Sequence, residues 1–162
     1  MTARAMSFGA GYLTRRELSI WKLRRDGFRQ ADIARRLGVQ RQGINRALLT
    51  IDSKMGQALT EAATLNRLDI WNIDLENGVM EAYSQAHQVP TVVSFSEANG
   101  VQIWYLYEGA CQVCNRFGSC RAMLIAEARE RGITLTDEDL EASPTDLARK
   151  IFSNYTNIVN LN

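Results

Sequence analysis

The chain has 162 residues, 46% hydrophobic and 23% charged, which suits one ordinary soluble domain or two small ones and excludes a disordered segment. No apolar run approaches the ~20 residues of a membrane helix, and the opening MTARAMSFGAGYLT lacks a secretory apolar stretch, so a cytoplasmic protein is expected. The net charge of +1 hides a division: residues 1–57 hold twelve Lys/Arg against four acids, net +8, and residues 58–162 hold seven against fourteen, net −7. One end suits a polyanion and the other repels it.

The first element is predicted from LTRRELSIWKLRRDG. Thr14 and Glu17 form a capping box, Leu18, Trp21 and Leu23 supply apolar positions, and Gly27 ends the helix. A second helix is predicted from RQADIARRLG, with Ile33, Ala34 and Leu37 on one face and Gly38 at its stop. A third opens at VQRQGINRALLTID.

Gln30, Ala34, Gly38 and Ile44 fall where a helix-turn-helix needs them. Ala34 lets two helices cross closely, Gly38 takes the left-handed turn, and Ile33, Leu37, Val39 and Ile44 close a miniature core. In that motif the second helix enters the major groove with its N-terminal residues, here Gln40, Arg41, Gln42, Asn45 and Arg46. Arg reads guanine and Gln or Asn reads adenine through paired hydrogen bonds. Arg15, Arg16, Arg35 and Arg36 suit phosphates. The simpler alternative is a helical hairpin with a solvated basic face.

GFRQADIARRLGVQRQGINRAL resembles the DNA-binding segment of the archaeal Tfx regulators and, more distantly, sigma-factor and LuxR-type helix-turn-helix domains. The resemblance covers roughly residues 12–65 and implies a transcription regulator that binds double-stranded DNA. The cysteine-bearing segment lies outside it.

Ile44, Leu48, Ile51, Met55, Ala58, Ala62 and Leu65 continue the third helix at heptad spacing. Such a seam predicts a homodimer paired through this helix, which would fix the spacing of two recognition helices. The competing expectation is that the stripe packs on its own chain.

Beyond it, LDIWNIDL alternates as a half-buried strand with Trp71, Ile73 and Leu75 inward. NGVMEAYSQAHQV reads as a turn and a short helix, and TVVSFS with VQIWYLY as a hairpin. RAMLIAEARERG is a helix ending at Gly132. SPTDLARKIFSNY is another, with Ser143 as N-cap, Pro144 at its first position, and Leu147, Ile151 and Tyr155 as its buried stripe. Trp21, Trp71 and Trp104 are expected in the core.

All three cysteines, Cys111, Cys114 and Cys120, lie at the spacing C-x2-C-x5-C. Cys111 and Cys114 can turn two thiolates toward one metal, and Cys120 sits where a helix begins, where backbone N–H groups and the helix dipole favour a thiolate. Zinc sites are usually built from two short ligand pairs, and no second pair exists here. The spacing resembles the iron–sulfur ligands of the fumarate–nitrate respiratory regulators and the WhiB proteins, which implies a cluster, 4Fe–4S in type, with a further ligand from elsewhere. His87, the only histidine, is one candidate; Glu108, a partner subunit and an exogenous ligand are others. Zinc, and three free thiols forming a redox disulfide, are the remaining alternatives.

The expectation is therefore an α+β chain in two parts: a helix-turn-helix DNA-binding domain over 1–65 and a metal-binding sensor domain over 66–162. Its function would be transcription regulation responding to redox state, oxygen or iron–sulfur status. Two alternatives stand beside it, a regulator with structural zinc and a small enzyme with an open-iron cluster. There is no phosphate-binding glycine loop, HExxH or nucleophile elbow, so a catalytic role is not expected.

Overall fold

The computed structural model describes residues 12–107, 109 and 111–157. Thr14 opens α1 (Arg15–Arg25) with the expected reciprocal cap: its hydroxyl accepts from Glu17 N–H at 3.2 Å, and Glu17 accepts from Thr14 N–H at 2.8 Å. These bonds satisfy two of the donors that a helix start leaves unpaired. Helix α2 (Gln30–Leu37) stops at Gly38, whose φ of 65° is left-handed and costs glycine nothing sterically. Helix α3 (Arg41–Leu65) then runs for 25 residues, ~37 Å.

Four strands follow: β1 (Leu68–Asp74), β2 (Val79–Ser84), β3 (Val89–Ser96) and β4 (Gly100–Tyr105). They form one antiparallel sheet in sequential order. After a short 3₁₀ turn, Cys111–Val113, come α4 (Phe117–Glu130), α5 (Asp137–Glu141) and α6 (Pro144–Phe152). The architecture is α+β, with the sheet between two helical layers.

Side-chain alternation divides the apolar residues between the two faces. One cluster joins Trp21, Ile33, Ile44, Ile51 and Met55 of the first three helices to Met80, Ala82, Val93 and Phe95 of the sheet. The other joins Val79, Val92, Trp104 and Leu106 to Leu124, Leu147, Ile151 and Phe152 of α4 and α6. The first cluster crosses residue 65, so the helix-turn-helix segment and the sheet share one core.

The heptad stripe is consumed by this arrangement. Ile44, Leu48, Ile51, Met55 and Ala58 are buried within the chain, which corrects the expectation that they pair two subunits. A helix covering a sheet needs a stripe of about the same width as a coiled-coil seam, so spacing alone could not separate the two. Leu65, at the end of the stripe, is 83% exposed.

Three further expectations are corrected. NGVMEAYSQAHQV is not a turn and helix; it supplies β2 and the turn into β3. Both faces of β2 are covered, so its alternation is blurred and its short run was open to either reading. Trp71 is 53% exposed, because the β1–β2 register shifts between Ile70 and Asn72 and turns it out of the core to stack on Tyr83. Leu37 is 37% exposed and outside the buried cluster, leaving Ile33, Val39 and Ile44 to close the helix-turn-helix core.

Trp21 pins the first helical layer to the sheet. Its fully buried ring meets Phe95 edge-on at 5.1 Å between centroids, and its indole N–H donates to Leu75 O at 3.2 Å. Gly78 makes this approach possible: a Cβ there would lie 2.8 Å from Trp21 Cζ2, and its φ is +64°. Gly78→Ala therefore combines left-handed strain with a clash against a ring that has nowhere to move. We expect a loss of about 2–4 kcal/mol in urea unfolding.

A buried ion pair fastens the opposite layer. Arg131 and Glu127 side chains are fully buried and 3.0 Å apart. Arg131 also donates to Asn77 O at 2.8 Å and Phe95 O at 3.1 Å, and Glu127 accepts from Ser94 Oγ at 3.2 Å. Burial pushes the Glu127 carboxyl above its ordinary value, and the Arg131 charge and the Ser94 hydroxyl pull it back only in part.

Candidate functional site

The first turn of α3 presents an exposed polar surface on the helix-turn-helix. Gln40, Arg41, Gln42, Asn45 and Arg46 are all exposed there, while Ile44 on the opposite side of the turn is fully buried and fixes the helix orientation. Gln40 makes no side-chain cap, and the first turn carries no acid. Its backbone donors and the positive end of the helix therefore face outward without local neutralisation. Among the described residues, none of the ion pairs involves Arg41 or Arg46.

Arg35 and Arg36 stand on α2 beside this surface. Asp32 pairs with Arg29 at 3.4 Å and with Arg35. Both arginine side chains are largely exposed, so these pairs are worth little and exchange readily for a stronger anion. Arg36 lies over Phe28 at 5.2 Å. Between α2 and α3 runs an open groove of about 740 Å³ walled by Arg24, Phe28, Arg29, Arg41, Asn45 and Leu49. Arg24 pairs with Asp52 at 2.7 Å within it.

Arg15 and Arg16 do not join this group. Their helix begins beside the middle of α3, where Lys54 reaches Glu17 at 2.8 Å. Residue 54 is ~20 Å along the helix from Arg41. Both arginines are exposed, but at the far end of the basic layer.

The cysteines follow β4. Cys111 opens the 3₁₀ turn and Cys114 directly follows it, with Cys114 N–H donating to Cys111 O at 3.1 Å. Cys111 is half-buried, its Sγ 3.8 Å from Thr145 Oγ1 on α6; Thr145 in turn donates to Tyr107 O at 3.1 Å. Cys114 is exposed, and its Sγ accepts from Arg116 N–H at 3.5 Å. Cys120 lies in the first turn of α4, half-buried against the second apolar cluster.

Among the described residues, no three Cys, His, Asp or Glu side chains stand together as a metal-holding group. The thiols suit a soft metal in kind and are accessible. Gathering all three around one centre requires the turn at 111–116 to move relative to α4. His87 is in the β2–β3 turn, its ring 4.5 Å from Tyr105 and stacked on Tyr107 at 6.3 Å. Tyr105 belongs to the first apolar cluster and Cys120 to the second, so His87 lies on the other face of the sheet from Cys120. Glu108 falls outside the described residues.

Comparison with protein-family models, curated proteins and solved structures finds no match.

Local sequence gave no sign of the contact that joins the two layers. Arg25, the last residue of α1, donates to Glu130 Oε1 at 2.9 Å and to Glu130 O at 3.0 Å. Glu130 also accepts from Glu97 N–H at 3.0 Å and Ala98 N–H at 2.9 Å, the turn between β3 and β4. Burial works to raise the Glu130 carboxyl, but the hydrogen bonds from Arg25, Glu97 and Ala98 and the Arg25 charge outweigh it and leave it below its ordinary value. Arg25 and Glu130 are 105 positions apart, beyond any spacing rule.

A folded-state pKa below the unfolded value means that Glu130 contributes stability above the ordinary glutamate value of 4.5 and loses it as pH falls through the folded value. Glu130→Gln should therefore lower stability at neutral pH and flatten its decline below about pH 5. Urea midpoints measured across acid pH check this.

Proposed function

We propose that the chain is a DNA-binding transcriptional regulator that reads double-stranded DNA with the first turn of α3 and receives its signal at the cysteine loop. The observation that carries the reading is the exposed, acid-free α3 start, with Arg41, Gln42, Asn45 and Arg46 outward on a helix anchored by buried Ile44. Arg35 and Arg36 hold phosphates and fix register, and Arg41 and Gln42 contact base edges. The strongly basic first 57 residues supply the attraction to the duplex. A homodimer is part of this proposal, because one recognition helix buries too little groove for selectivity. Its contact must lie outside the stripe that α3 buries.

Cys111, Cys114 and Cys120 supply the thiolates of the sensing site. An iron–sulfur cluster bound there, with 4Fe–4S preferred from the ligand spacing, would make the site responsive to redox state, oxygen or iron–sulfur supply. Zinc is the alternative metal. In either case the turn at 111–116 closes toward the first turn of α4.

Purification under anaerobic conditions followed by iron, sulfide and zinc determination tests the sensing part. Iron and sulfide in equal amounts, lost on Cys111→Ser, are expected. Stoichiometric zinc without sulfide selects the structural-zinc version, and no metal under any loading condition rejects a metal centre. Binding of the full chain to a mixed duplex pool at low salt tests the DNA part.

A further inference from the structure

We infer that Arg25 and Glu130 form the joint through which the state of the cysteine loop reaches the helix-turn-helix. This deepens the regulator reading and rests on it. Helix α4 carries Cys120 in its first turn and Glu130 as its last residue, ~15 Å away. Its two ends are held very differently. The start has no side-chain cap, no acid in the first turn and a glycine at position 118, so it is the end that a change in the loop can reorganise.

The far end is locked. Arg131 and Glu127 fasten it to β3 and the β1–β2 turn. Glu130 projects from this anchored end onto Arg25, whose side chain is only 3% exposed and lies over Trp21 at 4.8 Å. Lys22 pairs with Glu97, so the β3–β4 turn that donates to Glu130 also touches α1. Because that end is fixed on the sheet, a change in the tilt of α4 turns about it and swings the Glu130 carboxylate against Arg25 at the C-terminal end of α1, whose orientation sets how α2 and α3 are presented. The Arg25 fork takes both a carboxylate oxygen and a backbone carbonyl of Glu130, a geometry that a small helix displacement breaks. Glu130 is a positioning residue here, with no contact to DNA or metal.

The experiment uses the reduced full chain before and after anaerobic addition of ferrous iron and sulfide, and separately of Zn²⁺. Duplex affinity is read by anisotropy, and amide hydrogen exchange is read on the same samples. Loading should change wild-type affinity by about tenfold, a coupling of ordinary size. It should also change exchange at Glu97, Ala98 and the last turn of α1. Glu130→Gln should keep the unloaded affinity within about threefold and respond to loading by less than about twofold. Arg25→Lys, which keeps the charge and loses the fork, should behave likewise. Variants that respond as fully as wild type, or exchange at Glu97 and Ala98 that ignores loading while affinity changes, overturn the joint and leave the regulator reading standing. A wild-type chain whose affinity ignores loading overturns the sensing reading, and the joint falls with it.

Discussion

Arg131→Ala should destabilise the chain by about 3–5 kcal/mol in urea unfolding, the largest effect expected of any single truncation here. The substitution strands the Glu127 carboxylate in a fully buried site and leaves Asn77 O and Phe95 O without their donor. Two costs add: an uncompensated buried charge, and acceptors cut off from water. Paired replacement distinguishes this from lost packing. Glu127→Leu with Arg131→Met removes both charges while keeping much of the volume, and should cost well under the sum of the single changes. Near-additive losses would mean that the pair contributes through shape, not charge.

The second large effect concerns recognition. Arg41→Ala and Gln42→Ala should each reduce discrimination against altered sites by about 1–3 kcal/mol, because each removes a group able to make paired bonds to a base edge. Both side chains are exposed, so thermal stability should change little. Arg35→Ala should weaken binding to all duplexes alike and lower the salt slope by about 1. Competition binding against single-base variants of a selected site measures both. Arg15→Ala gives an internal control: Arg15 stands with Glu17 and Lys54 beside the middle of α3, and should affect affinity less than Arg35→Ala does.

Much of the helical layer was legible because its signals are local. Thr14 with Glu17, Gly38, and Ser143 with Pro144 each act within one turn, and each appears as a cap or stop in the fold. The long α3 was legible too, but its partner was not. Residues from Ile44 to Ala58 report that a surface is buried, not whether a sheet or a second chain buries it. β2 was misread because covering on both sides removes the two-residue period. Trp71 was misplaced because a bulge is a property of two strands together.

The candidate site divides in the same way. The exposed polar residues at the start of α3 follow from a helical pattern and one buried anchor, Ile44. The cysteine spacing named donors but not their separation, which depends on how the turn at 111–113 meets α4. The Arg25–Glu130 joint was invisible, because a contact across 105 positions is made by the tertiary fold alone.

The most direct test of the whole account is the salt dependence of duplex binding by the intact wild-type chain, compared with the Arg41→Ala, Gln42→Ala double variant. The wild-type chain should bind measurably at low salt, with a linear fall of log affinity with log salt and a sequence preference that the double variant loses while keeping most of the slope. Absence of duplex binding at low salt, or a preference unchanged by the double variant, would contradict it.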